Sequence, residues 1–285
     1  MLNSQRPTQR RLFLKTGLLG VISVSVPQLI TASPTHISIP KVNKEVFHRY
    51  PSIDDEIVAE VVGASHFNLE RVMQLVNKRP ELSRATWDWA FGDWETALGA
   101  ASHTGRRDIA EFLIEKGARP DLFTFAMLGH NKAVKSMIEA SPGIQRIQGP
   151  HGINLLQHAE AGLRTAKSEK QKEQCRQLID YLQSLGDADI SLSPGNMSKE
   201  EKEKYLGDYR YGPGDYDGVS VKLIMRDMLS LGKLGKSGGA LYPLDDGSFA
   251  YNDTTSVRIS FQLKDDKVTG LTIHEPDLVL RANKV

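Results

Sequence analysis

The chain has 285 residues, with 36 Lys and Arg against 35 Asp and Glu, a net charge of +1 and one cysteine. That balance excludes the basic field by which a protein recruits nucleic acid or an anionic lipid surface, and a lone cysteine excludes an intrachain disulfide. The length exceeds what one compact core needs, so more than one domain is expected.

At the N-terminus, Gln9-Arg10-Arg11-Leu12-Phe13-Leu14-Lys15 precedes an apolar run over 16–26 that is too short to span a bilayer. The pattern resembles a bacterial twin-arginine export signal, Ser/Thr-Arg-Arg-x-Phe-Leu-Lys, with Gln9 as the departure. The resemblance implies export to the periplasm, with Arg10, Arg11, Phe13, Leu14 and Lys15 carrying recognition and the membrane met only in transit. Residues 1–32 would be the signal, cleaved near Ile30-Thr31-Ala32, and 33–51 a linker. A general secretory signal or an uncleaved anchor is the alternative. Loss of 1–32 removes Arg6, Arg10, Arg11 and Lys15 and no acid, which takes the net charge from +1 to −3.

Between 93 and 121, Ile109, Phe112 and Leu113 make one apolar stripe at helical spacing, the small Ala100 and Ala101 allow a close helix partner, and Gly117 can end a helix. Leu98, Ala100, Ala101, Gly105, Ile109, Leu113, Gly117 and Ala118 fall where an ankyrin repeat has them, and the segment resembles one whole repeat. Trp94, Ala97 and Gly99 depart from the pattern in the opening turn. Weaker copies flank it: 63–76 before, 129–138 and 149–189 after. Their loop positions, Phe67, Gly105, Gly129 and Gly162, are spaced 38, 24 and 33 residues, which implies one long finger and one missing finger. Four repeats over 52–189 are expected, with a plain helical bundle as the alternative.

The breaker-rich stretch Ile190–Met197 reads as a linker, and Ser198-Lys-Glu-Glu201 as a capping box opening a short helix, together 190–204. Beyond it the period becomes alternating: Val219, Val221, Leu223 and Met225, then Val257, Ile259, Phe261 and Leu263. Asp246-Gly247 and Asp265-Asp266 read as hairpin turns, and seven or eight antiparallel strands over 205–285 as a barrel or curled sheet. The segments Leu206–Tyr209, Leu241–Phe249, Val257–Phe261 and Val268–Leu271 resemble the small lipocalin-like domain behind penicillin-binding-protein and β-lactamase-like serine hydrolases. The expected fold is therefore α+β and multidomain: an all-α ankyrin-repeat solenoid, then a small antiparallel lipocalin-like β barrel or curled sheet.

No nucleophile, base and stabiliser assemble into a catalytic frame. Ser230-Leu-Gly-Lys233 matches Ser-x-x-Lys but falls in a glycine-rich hairpin region without its partner motifs. His66, His103 and His130 take equivalent loop positions of successive repeats and read as turn residues; without carboxylates or thiols beside them no metal and no cofactor is expected. His151 and His158, seven apart, suggest no complete site either. Asn196 and Asn252 open glycosylation triplets that a bacterial export signal makes incidental, and Cys175 reads as a small packed residue. The sharper signal is aromatic: Trp87, Trp89 and Trp94 with Phe91 crowd into the long finger, the place where ankyrin-type proteins hold partners. If they bind, Trp87 or Trp89 is the expected anchor and Trp94 the expected packed member; the alternative is that the cluster covers the junction of the stack or packs on the neighbouring domain. The sequence thus reads as a non-enzymatic binder of another protein in the cell envelope. A small apolar ligand inside the β domain, or an accessory role beside an envelope hydrolase, is the alternative.

Overall fold

A computed structural model describes residues 50–193, 195–224 and 227–285. The export-signal residues Arg10, Arg11, Phe13, Leu14 and Lys15 lie outside the described residues, as do most of the 33–51 linker and Met225. The described residues form one compact α+β unit.

Among the described residues eight α-helices come first, as four successive pairs: α1 (Asp55–Ala64) with α2 (Leu69–Lys78), α3 (Ala97–Thr104) with α4 (Arg107–Glu115), α5 (Leu122–Leu128) with α6 (Asn131–Ala140), and α7 (Leu155–Thr165) with α8 (Glu169–Leu185). The second pair follows its sequence closely. Thr96 accepts the Gly99 N–H at 2.8 Å and so starts α3, while Gly105, at φ +76°, takes the left-handed turn that ends it. Ala100, Ala101, Ile109 and Leu113 are buried on facing sides of α3 and α4. Cys175 is buried in α8 as a free thiol, and burial pushes its pKa up.

Row by row, α3 packs on α1 and α5, α5 on α7, α2 on α4, and α6 on α8. The contacts run mainly between successive pairs, but not only between neighbours, because α7 also packs on α3. The third pair is short, and Thr165 of α7 reaches past it to donate to the Gly105 carbonyl at 2.6 Å. Gly162 is no loop residue: it lies within α7, where an added Cβ would sit 1.9 Å from the Met127 carbonyl oxygen. The close approach of α7 to the end of α5 is what requires glycine there.

Between α2 and α3 the long finger is a hairpin of β1 (Thr86–Asp88) and β2 (Trp94–Thr96). After the fourth pair, the Ser198 capping box opens α9 (Lys199–Glu203). Eight antiparallel strands then close a barrel: β3 (Gly207–Arg210), β4 (Gly218–Ile224), β5 (Met228–Lys233), β6 (Gly239–Pro243), β7 (Phe249–Tyr251), β8 (Thr254–Lys264), β9 (Lys267–His274) and β10 (Val279–Lys284). Each strand pairs with the next and β10 closes on β3. Asp246-Gly247 and Asp265-Asp266 lie in the turns joining β6 to β7 and β8 to β9. Tyr209, Leu231, Tyr251, Ile259 and Leu271 are buried in its core, with Phe261 edge-on to Tyr205, Tyr209 and Phe249. Ser230 is spent as a ladder residue of β5, its hydroxyl donating to the Lys222 carbonyl.

The linker does not hold the halves apart. Phe91, at the hairpin tip with φ +58°, packs edge-on against Tyr251 of the barrel at 4.9 Å, and Asn252 Nδ2 donates to Asp93 Oδ2 at 2.7 Å. The finger is the piece through which the helices grip the barrel.

Candidate metal centre

Alternation along β2 decides which of its side chains face inward. Trp94 and Thr96 are exposed, and Glu95 between them is fully buried. A buried carboxylate needs partners, and three imidazoles supply them. His66 comes from the turn after α1, His103 from the last turn of α3, and His151 from the loop before α7. His103 Nε2 stands 2.9 Å and His151 Nε2 3.4 Å from Glu95 Oε1, and His66 Nε2 stands 3.3 Å from Oε2. The four donor atoms all lie within 4.8 Å of one another. Around zinc, with bonds of about 2.0–2.1 Å, tetrahedral neighbours are separated by roughly 3.3 Å, the scale of these approaches.

Outer atoms hold the donors in place. His66 Nδ1 lies 3.0 Å from the Gly63 carbonyl oxygen and His151 Nδ1 lies 2.7 Å from Asp93 Oδ2. Both partners only accept, so both Nδ1 atoms carry the proton and direct Nε2 inward. Trp89 Nε1 donates to Glu95 Oε2 at 2.7 Å. A metal-binding histidine is usually oriented in this way, by a carboxylate or carbonyl on its far nitrogen. At the centre, by contrast, Glu95 Oε1 and His103 Nε2 approach to 2.9 Å without hydrogen-bond alignment and are both buried without a partner.

Electrostatics follows from this crowding. Burial alone would raise the Glu95 carboxyl, but His103 and His151 beside it, with His66, outweigh burial and hold it well below the carboxylate range. Burial would likewise lower His151, yet Asp93 and Glu95 raise it to about 10. His103 goes down, through burial first and despite Glu95. Without a metal, His151 carries the cation that Glu95 and Asp93 require. A divalent ion on the three Nε2 atoms and Glu95 would take over that charge. Three imidazoles and one carboxylate suit zinc, copper, nickel, cobalt or iron(II) rather than calcium or magnesium, which prefer all-oxygen shells.

The sequence reading expected no metal because no carboxylate stood beside the loop histidines, and the fold supplies one in Glu95. It also placed His66, His103 and His130 equivalently, whereas His103 lies inside α3 and His130 leads into α6, edge-on to Phe125 at 5.8 Å. His158 is buried in α7, outside the cluster. Among the finger aromatics the structural-cover alternative holds for three, and the anchor and packed roles expected of the tryptophans are reversed. Trp87 and Trp89 pack on the helical core and Phe91 on the barrel core, while Trp94 is 62% exposed. Asn252 is buried, which leaves its glycosylation triplet no acceptor. Glu95, Asp93 and the role of His151 were missed in the sequence. The available signal was a pair of acids, Asp93 and Glu95, alternating with Trp94 and Thr96 next to a histidine-bearing helix. No family model matches the chain, and no curated protein matches it in sequence.

Proposed function

We propose that this is a metal-binding protein that holds one divalent transition ion, zinc foremost, on His66, Glu95, His103 and His151. The observation that carries the reading is the convergence of four donors from four separate segments, two of the imidazoles being oriented through Nδ1. Calorimetric titration of the metal-free full chain with Zn²⁺ tests it. One ion should bind per chain, and Glu95→Gln or His103→Gln should weaken binding more than about 100-fold, beyond what loss of a supporting residue costs. No uptake, or uptake indifferent to both substitutions, overturns it.

In this reading the helix pairs are a short ankyrin-like stack, the barrel is lipocalin-like, and the twin-arginine-type leader exports the chain to the bacterial envelope, where it serves as a binding protein rather than an enzyme. A second reading, capture of another protein by the finger, is favoured by the exposure of Trp94 on β2. A small apolar ligand in the barrel is less favoured, because Tyr209, Tyr251 and Ile259 are buried in its core.

A further inference from the structure

The four donors are not equally enclosed. Glu95 is fully buried and the His103 side chain is 11% exposed, whereas His66 is 23% and His151 25% exposed. The three imidazole rings form a triangle with unequal edges. The His103 ring is edge-on to both others, with centroids 4.9 Å from His66 and 5.3 Å from His151. The His66 and His151 rings face each other at 22°, 6.3 Å apart. The widest edge of the triangle is thus the edge between its two most exposed members. Glu95 and His103 make the floor, and the more exposed His66 and His151 side chains lie at the opposite edge.

We propose that the metal at this centre keeps an exchangeable coordination position at the His66–His151 edge, which takes a small monoanionic ligand such as hydroxide or azide. The inference rests on the metal-binding reading above. A divalent ion with one carboxylate and three neutral imidazoles leaves the inner shell at a net single positive charge, which favours an anion in a fifth place added beside the four protein donors. The Asp93 carboxylate does not fill that place: it is engaged by the His151 backbone N–H, His151 Nδ1 and Asn252. Near-parallel rings with centroids 6.3 Å apart leave room for no more than a single atom's width between them, which suits a rod-like or water-sized group and rejects a bulky one. Structural zinc sites are closed and typically rich in thiolate, while sites that exchange ligands keep an open position. This centre has no thiolate, and its widest and most exposed edge lies between His66 and His151.

Cobalt(II) reports the difference, because its visible absorption changes when a ligand is added or exchanged. The full chain is loaded with Co²⁺ and titrated with azide, with Glu95→Gln in parallel to show that the absorbing ion is the one at this centre. The expected result is a saturable spectral change with one azide per bound cobalt, absent from the variant. Cobalt that binds tightly at the centre, with a spectrum indifferent to azide, overturns the open position and leaves the metal-binding reading standing. A chain that takes up no cobalt and no zinc overturns both.

Discussion

Asp93 and His151, 58 residues apart in the chain, are joined twice: the His151 backbone N–H donates to Asp93 Oδ1 at 3.0 Å, and its Nδ1–H to Oδ2 at 2.7 Å. Because Asn252 also donates to Oδ2, one carboxylate orients a donor of the centre and ties the barrel to the hairpin. Asp93→Asn is therefore expected to do two things at once. Metal affinity should fall about 10–100-fold, and stability in urea by about 1–3 kcal/mol, as His151 is left without its full acceptor. An unchanged zinc titration would show that Asp93 only joins the halves.

The finger tryptophans should separate by exposure. Trp94→Ala, at a site 62% exposed, should change unfolding free energy by no more than about 0.5 kcal/mol. Trp89→Phe removes the donor to buried Glu95 Oε2 and should cost about 1–3 kcal/mol in the same urea measurement, with weaker zinc binding. Equal losses in the two variants would contradict this division of roles.

Gly162→Ala would ordinarily favour a helix by up to about 1 kcal/mol. Here the new Cβ meets the Met127 carbonyl oxygen at 1.9 Å, so a loss of about 1–3 kcal/mol or more is expected from overpacking. A thermal melt gives the sign, and a raised Tm would mean that α5 and α7 separate at little cost.

His158 gives a pH signature. Burial lowers it from 6.5 to about 4; its Nδ1 faces the Asn154 carbonyl, and the charged groups facing it are His103 and Glu95. The folded pKa lies below the unfolded one, so the unfolded chain binds the extra proton first. Its contribution is intact above pH 6.5 and is lost progressively as pH falls toward 4, by up to about 3 kcal/mol. His158→Gln should remove that part of the pH dependence of urea stability between these limits. An identical pH profile in wild type and variant would show that His158 takes up its proton at the same pH in the folded and unfolded chain.

Much of the fold was legible because it is written locally. The stripe of Ile109 and Leu113, the capping Thr96, the left-handed Gly105 and Gly117, and the alternation of Val257 and Ile259 each follow from a few neighbouring residues. Gly162 misled because a glycine needed for close packing looks the same in sequence as one that ends a helix. The centre was illegible for a different reason. His66, Glu95, His103 and His151 share no motif and come together only when the hairpin folds over α3 and the loop before α7 closes on it. The burial of Glu95 follows from which way β2 faces, which the residues alone leave open.

The most direct measurement is X-ray absorption at the metal edge of the full chain loaded with one equivalent of Zn²⁺, beside His103→Gln. The account predicts a first shell of about three imidazole nitrogens and one carboxylate oxygen at roughly 2.0–2.1 Å, with imidazole scattering reduced in the variant. A shell dominated by water or carboxylate oxygens, or one unchanged by His103→Gln, would contradict it.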